Sequence, residues 1–189
     1  MDLTADEART RLREGNQRFL NDTPQAGGRD RAARAMLAKS QDPFVVILCC
    51  ADSRVVPEIV FDAGLGELFV IRVAGNVANK ATIASIEYAV ANLGTKLVVV
   101  MAHGNCGAVT AALAGGDTSP HLRYLLDHIQ PAVECSANRD VDAVARLSAK
   151  LNVRRMVAES GIIRNGVEND GVGIITAFYH PATGEVDLV

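Results

Sequence analysis

Four short apolar runs, rich in valine and isoleucine, are the clearest feature of the hydrophobic pattern along the chain. Continuous runs of this length are typical of strands that are covered on both faces, as in a parallel sheet. The pattern therefore predicts strands over 43–50, 67–75, 96–104 and 171–180. A Pro-Ala-Thr-Gly turn then leads into 185–189, which could add one further strand at the edge of the sheet.

Segments with helical spacing lie between these runs. Residues 82–94 repeat apolar positions at helical intervals, and Thr82 and Gly94 are suited to be the N-cap and the C-cap. Residues 106–116 and most of 119–168 also have helical periodicity. Strands that alternate with helices indicate an α/β fold with a mostly parallel central sheet of four strands, flanked by crossover helices.

The N-terminal segment has a different character from the rest of the chain. Residues 1–19 have a charged, amphipathic pattern typical of a helix, and 21–30, with a proline and two adjacent glycines, resembles a linker. We therefore predict one domain over 1–189 with an N-terminal helical arm at 1–28. The arm has little local sequence from which to build a core, so we expect a second subunit to cover it.

Composition and charge limit the classes of function. A length of 189 residues is typical of one domain, and a net charge of −3 gives no basic surface for nucleic acid. No apolar run approaches the roughly 20 residues of a membrane span, and the N-terminus lacks the apolar segment of a secretory signal. We therefore expect a cytoplasmic protein without nucleic acid or membrane partners. In the cytoplasm, four cysteines indicate metal binding or catalysis rather than disulfide bonds.

Two of the predicted strands end in residues that bind metals. Cys50 and Asp52 follow the first strand, and His103 and Cys106 follow the third. Sites in parallel α/β sheets gather at the carboxyl ends of strands, so we expect these side chains to meet. Zinc accepts all of these ligand types, and two cysteines with one histidine would leave a fourth position open for catalysis. Taken singly, either cysteine is better explained as an ordinary core residue, and it is the combination that indicates a metal site.

Adjacent cysteines at 49 and 50 cannot both face this site, because side chains alternate between the two faces of a strand. Asp52 lies two residues after Cys50 and shares its face while the chain stays extended. We therefore assign Cys50 to the metal site and Cys49 to packing. Cys135 has no accompanying motif, and we interpret it as an ordinary residue.

The segments Cys-Ala-Asp-Ser-Arg-Val at 50–55 and His-Gly-Asn-Cys-Gly at 103–107 together resemble the paired motifs of the β-class carbonic anhydrases. Either motif alone would be weak evidence, whereas the pair in this order is specific. The resemblance implies a zinc lyase that hydrates carbon dioxide reversibly to bicarbonate and a proton by means of zinc-bound hydroxide. The substrate would be a small molecule.

The resemblance also implies a role for each motif residue. The ligands of one Zn²⁺ per chain would be Cys50, His103 and Cys106. Asp52 and Arg54 would be the functional pair: Asp52 can accept a hydrogen bond from zinc-bound hydroxide, or it can bind the zinc itself. Arg54 decides between these states, because its guanidinium can pair bidentately with the carboxylate and hold it off the metal. A structural ion pair is the alternative interpretation, but a buried pair is weak evidence for a stabilising role.

Three further positions match the plant-type branch of the family. Gln41 precedes Cys50 by nine residues, where that branch has a glutamine that hydrogen-bonds substrate, and Phe69 and Tyr88 match its aromatic pocket wall. In that branch the neighbouring subunit supplies part of the wall, which implies a homodimer or a higher homo-oligomer. By residue type alone, Phe69 and Tyr88 are equally compatible with the core. Ile47 stands where another branch has the tryptophan of a non-catalytic bicarbonate pocket, so no such pocket is expected.

Three other functions are the alternatives to this one. A carbonyl sulfide or carbon disulfide hydrolase would keep the same zinc ligands, since its linear substrates are nearly isosteric with carbon dioxide. A non-catalytic zinc or redox-sensing module would have a closed four-ligand site and would not need Asp52 or Arg54. A nucleotide-binding domain is disfavoured, because the chain has neither the glycine-rich dinucleotide motif nor the P-loop motif.

Overall fold

A five-stranded sheet forms the centre of the computed structural model, which describes residues 3–28 and 30–189. The strands are β1 (Val45–Cys49), β2 (Leu68–Arg72), β3 (Leu97–His103), β4 (Gly173–Tyr179) and β5 (Val186–Leu188). They lie in the order β2-β1-β3-β4-β5. The first four are mutually parallel and β5 pairs antiparallel with β4. The predicted α/β class, the four parallel strands and the added edge strand are confirmed.

Helices fill the connections between the strands. They are α1 (Ala5–Leu20), α2 (Arg31–Leu37), α3 (Pro57–Val60), α4 (Lys80–Asn92), α5 (Gly107–Ala114), α6 (Pro120–Asp127), α7 (Gln130–Cys135), α8 (Val141–Glu159) and α9 (Gly161–Asn169). The helical spacing of the sequence predicts all of these except the short helices α2 and α3. No helix in the described part of the chain is long and apolar enough to cross a membrane.

Helix α4 begins at Lys80, and its N-cap lies three residues before the predicted one. Asn79 is the N-cap, and its side chain accepts hydrogen bonds from the N–H groups of Ala81 and Thr82. Thr82 is not the N-cap: its hydroxyl accepts from the Asn79 N–H and closes the capping box. At the other end, Gly94 has a φ of +69°, a left-handed conformation that suits glycine just beyond a helix.

The core consists of two apolar layers, one on each face of the sheet. Val46, Leu48 and Cys50 belong to the layer shared with α4, α5, α8 and α9. Ile47 and Cys49 belong to the layer shared with α1 and α3. The two cysteines therefore point to opposite faces, as strand alternation predicts. Cys49 is fully buried, and burial raises the pKa of its thiol to about 12, which suits a packing role.

The N-terminal helix packs on the sheet of its own chain. The Thr4 side chain caps α1 and forms a reciprocal capping box with Glu7. Ala8 and Leu12 are 0% and 1% exposed in the layer that contains Ile47. Burying a leucine to this extent stabilises the fold by roughly 1.5–3 kcal/mol. The expectation that a second subunit covers this helix is therefore wrong for its buried face, because strands of the same chain, distant in sequence, cover it.

The Asp62 carboxylate holds the segment after α1 against the rest of the chain. Asp62 accepts hydrogen bonds from Arg18 at 2.6 Å and from the N–H groups of Gln25 and Ala26 at 2.9 Å each. Burial alone raises the pKa of Asp62, but these donors outweigh it and keep the pKa below its ordinary value. The interpretation of 1–28 as an arm on a single domain stays a prediction.

Candidate metal centre

Two neighbouring strands end beside each other and bring three metal-binding side chains together. Cys50 directly follows β1, His103 is the last residue of β3, and Cys106 is the N-cap of α5. The ligand atoms of the three side chains lie within 4.8 Å of one another, and the residues are 4%, 0% and 1% exposed. The structure therefore brings together the three ligands predicted from the sequence.

The hydrogen bonding of His103 leaves one ring nitrogen available. Its Nδ1 lies 3.0 Å from the carbonyl oxygen of Gly104. A carbonyl can only accept, so Nδ1 carries the proton and Nε2 has a free lone pair. Nε2 is buried and has no hydrogen-bond partner among the described residues. An unpartnered buried acceptor is costly, and a metal ion would satisfy it.

The neighbouring thiols of Cys50 and Cys106 shift each other's pKa in opposite directions. The Cys106 thiol lowers the pKa of Cys50, and the N–H of Gly75, which donates to Cys50 Sγ at 3.3 Å, lowers it further. The neighbouring Cys50 thiol and burial raise the pKa of Cys106. One thiolate is thus already favoured, and a divalent cation would favour the second.

Gly75 reaches the Cys50 sulfur because it has no side chain. Its φ is +69°, and a Cβ at this position would lie 2.6 Å from the Cδ1 atom of Ile129 and 3.2 Å from the Cβ of Ala108. The turn Ala74–Asn76 that carries it packs against β1, β3 and α5. Glycine therefore lets the backbone N–H approach the sulfur closely.

Asp52 and Arg54 form a bidentate pair at the rim of the group. Arg54 Nε donates to Asp52 Oδ1 at 2.9 Å and Nη2 donates to Oδ2 at 2.8 Å. The Arg54 backbone N–H adds a third hydrogen bond at 3.0 Å. The guanidinium holds the pKa of Asp52 well below its usual range. Asp52 Oδ2 is 4.0 Å from His103 Nε2, too far for a hydrogen bond.

Arg72 is a contributor that the sequence did not indicate. It ends β2, beside the end of β1, and its Nε and Nη2 donate to the carbonyls of Cys50 at 3.3 Å and Asp52 at 2.7 Å. These bonds fix the backbone between the metal group and the carboxylate. The only signal in the sequence is an arginine at the end of a predicted strand, which is too common to be specific.

The predicted pocket residues are not beside the metal group within one chain. Gln41 is exposed and precedes β1, whereas Cys50 follows it, so roughly 16 Å of strand separates them. Phe69 pairs with Val46, four residues before Cys50. Tyr88 is 49% exposed, and its ring centroid lies 6.3 Å from that of Phe69. The two aromatic residues therefore form a separate pair near the β2 edge of the sheet.

Comparison with known proteins identifies the family. Residues 45–186 match the family model described as carbonic anhydrase. The chain is 39% identical over 185 residues to carbonic anhydrase 2 of Mycobacterium tuberculosis, covering 94% of this chain and 89% of that protein. The chain belongs to the carbonic anhydrase family. The class of enzyme predicted from the paired motifs is confirmed.

Solved structures of β-carbonic anhydrases share its fold. The chain matches the enzyme CafA of Aspergillus fumigatus with a TM-score of 0.72 at 26% identity, covering 97% of this chain and 89% of that chain. It matches the Coccomyxa enzyme in complex with acetazolamide with a TM-score of 0.75 at 27% identity, covering 93% and 83%. The resemblance to the β class of carbonic anhydrases is therefore confirmed.

The donor set of this β-carbonic anhydrase fits zinc. Two thiol sulfurs and one imidazole nitrogen are the ligand types that zinc prefers, and three protein ligands are the usual number at a catalytic zinc. The free lone pair of His103 Nε2 and the lowered pKa of the Cys50 thiol both indicate a group that a cation would complete. The exposed Cys135 lies outside this group.

Proposed function

We propose that this carbonic anhydrase hydrates carbon dioxide reversibly to bicarbonate and a proton, with zinc held by Cys50, His103 and Cys106. The observation that carries the proposal is a buried group of three ligands beside an ionised carboxylate. That carboxylate is Asp52, which is hydrogen-bonded by Arg54 and whose Oδ2 lies 4.0 Å from His103 Nε2. A closed zinc or redox-sensing site would need a fourth ligand, and Asp52 is occupied by Arg54 instead.

The protein's own residues prepare the attacking water. Zinc, when bound here, would lower the pKa of a coordinated water towards roughly 7 and so make hydroxide available at neutral pH. Asp52, whose carboxylate Arg54 holds beside the ligand group, would accept a hydrogen bond from that hydroxide and orient its lone pair towards substrate. Hydroxide would add to the carbon of carbon dioxide while one C=O electron pair moves onto oxygen, and bicarbonate would leave as a new water takes its place. The proton of the water would pass to solvent.

A side-by-side assay tests this function. Zinc-loaded protein should accelerate carbon dioxide hydration in a stopped-flow assay and should turn over carbonyl sulfide and carbon disulfide far more slowly. The isosteric variant Asp52→Asn keeps the size of the side chain and serves as a matched control that should be strongly impaired. Faster hydrolysis of carbonyl sulfide or carbon disulfide than hydration of carbon dioxide would overturn the assignment.

We also propose that Gln41, Phe69 and Tyr88 complete the substrate pocket of a neighbouring subunit, as the plant-type resemblance implies. The separation of Gln41 from Cys50 and the exposure of Tyr88 support this arrangement. The protein should therefore be at least a dimer by light scattering at the assay concentration. A fully active monomer would contradict the proposal.

We further propose a cytoplasmic location. The four cysteines are free, and the two thiols of the metal group must stay reduced to bind zinc. Fractionation of cells that express the intact chain tests this, and recovery from an oxidising compartment would contradict it.

A further inference from the structure

The turn between His103 and Cys106 contains a residue in an unusual backbone conformation. Asn105 has a φ of +54°, which is left-handed and unfavourable for residues other than glycine, although asparagine tolerates it better than most. Its N–H donates at 2.9 Å to Oδ1 of Asp142, which lies in the first turn of α8. A carboxylate acceptor makes this hydrogen bond stronger than a neutral one, so it stabilises the turn.

The carbonyl of the same residue reaches the functional pair. Asn105 O accepts from Arg54 Nη2 at 3.3 Å, and that nitrogen also donates to Asp52 Oδ2 at 2.8 Å. A continuous series of hydrogen bonds therefore runs from Asp142 through Asn105 and Arg54 to Asp52. Because φ and ψ of Asn105 set the angle between its N–H and its carbonyl, the contact at one end orients the contact at the other.

The turn is in van der Waals contact with Asp142, and this contact is separate from the capping of α8. A Cβ on Gly104 would lie 3.5 Å from Asp142 Oδ2 and 3.3 Å from the Cδ of Pro181, so the turn lies close against the carboxylate. Asp140, not Asp142, is the N-cap of α8, and it accepts from the N–H of Ala143 at 2.9 Å. The Asp142 carboxylate is thus directed at the turn.

We propose that Asp142 is a positioning residue: it holds Asn105 in the left-handed conformation whose carbonyl orients Arg54, and thereby keeps Arg54 on Asp52. The proposal rests on the proposed hydration activity for its kinetic readout only. Asp142 acts through the turn and through Arg54, without touching the reacting atoms.

Three variants separate positioning from stability. Asp142→Ala removes the acceptor, Asp142→Asn keeps an acceptor oxygen, and Asp140→Ala removes only the cap of α8. In zinc-loaded protein, Asp142→Ala should retain its zinc and lower kcat by about 10-fold with little change in KM, the lower end of the effect of residues that orient metal-site groups. Crystal structures should show the Arg54 guanidinium displaced from the Asn105 carbonyl. In Asp142→Asn, kcat and the position of the Arg54 guanidinium should both be close to those of the wild type. Asp140→Ala should change neither kcat nor the Arg54 position, but it should lower the melting temperature.

A glycine at 105 provides a second test. Glycine adopts the left-handed conformation readily, so the loss caused by Asp142→Ala should shrink in an Asn105→Gly background. An Asp142→Ala protein with wild-type kcat and an unmoved Arg54 would overturn the proposal, as would an equal loss in Asp140→Ala. If wild-type protein hydrates no carbon dioxide, the proposed function fails, and the crystallographic position of Arg54 still decides the role of Asp142.

Discussion

Replacing Cys106 with serine should empty the metal centre, whereas the wild-type chain should hold about one zinc ion. A serine hydroxyl does not ionise near neutral pH, so the variant loses one of the two thiolates that the metal requires. Cys106 is 1% exposed, and the only ligands left in the group would be Cys50 and His103. The zinc content of purified protein after dialysis, measured by mass spectrometry of the metal, gives the result.

Thermal unfolding gives an independent readout of the same change. A metal that binds the folded chain alone raises its stability, by about 2.7 kcal/mol at a free concentration 100 times the Kd. A strong chelator should therefore lower the melting temperature of the wild type and leave that of Cys106→Ser unchanged.

An exposed cysteine provides the matched control. Cys135 lies outside the metal group and is exposed, so Cys135→Ser should keep full zinc, full activity and the response to chelator. A Cys106→Ser protein that keeps a full complement of zinc would sink the ligand assignment. So would a wild-type protein that binds no zinc when purified in its presence.

The fold and the metal group were predictable because their signals are local. Each strand is a continuous apolar run, and parallel strands that are neighbours end at the same edge of the sheet. Those two facts bring the residue after β1 and the last residue of β3 together without any knowledge of distant contacts. The opposite facing of Cys49 and Cys50 follows from the two-residue period of a strand.

The errors concern contacts that the local pattern does not contain. Asn79 and Thr82 are both favourable N-cap residues. Which of them caps α4 depends on the residue at which the backbone first becomes helical after the preceding turn. The face of α1 that contains Leu12 is covered by strands more than 30 residues away in sequence, so the helix could not be distinguished from an arm that packs on a partner.

The residues that orient the site could not be predicted from the sequence either. Arg72 and Asp142 are common charged residues without a motif, and they act on backbone groups of Cys50, Asp52 and Asn105. Arg72 reaches its partners because β2 pairs with β1, and Asp142 reaches Asn105 because α8 begins beside the 103–106 turn. Side-chain to backbone hydrogen bonds of this kind leave no spacing pattern to read.

Arg54→Lys should keep its zinc and lose most carbon dioxide hydration, although the substitution preserves charge. The guanidinium of Arg54 holds both oxygens of Asp52 with two parallel hydrogen bonds, at 2.9 and 2.8 Å. A lysine ammonium is a point charge on a flexible stem and cannot reproduce this planar fork. Asp52 stays ionised near neutral pH without the fork, because an ordinary aspartate has a pKa of about 3.9. The carboxylate, 4.0 Å from His103 Nε2 in the clamped state, is then free to turn onto the metal and exclude water.

We expect kcat to fall by about 10- to 100-fold, the range typical of residues that orient metal-site groups. Arg54→Ala should lose more, because it removes the charge as well as the fork. Arg155→Lys is a matched control, since Arg155 pairs with Glu159 on the exposed face of α8, and it should leave turnover unchanged. Zinc-edge X-ray absorption above neutral pH should show a carboxylate ligand in Arg54→Lys and none in the wild type. The gating role is wrong if Asp52 already binds zinc in an active wild-type enzyme, or if Arg54→Lys turns over normally.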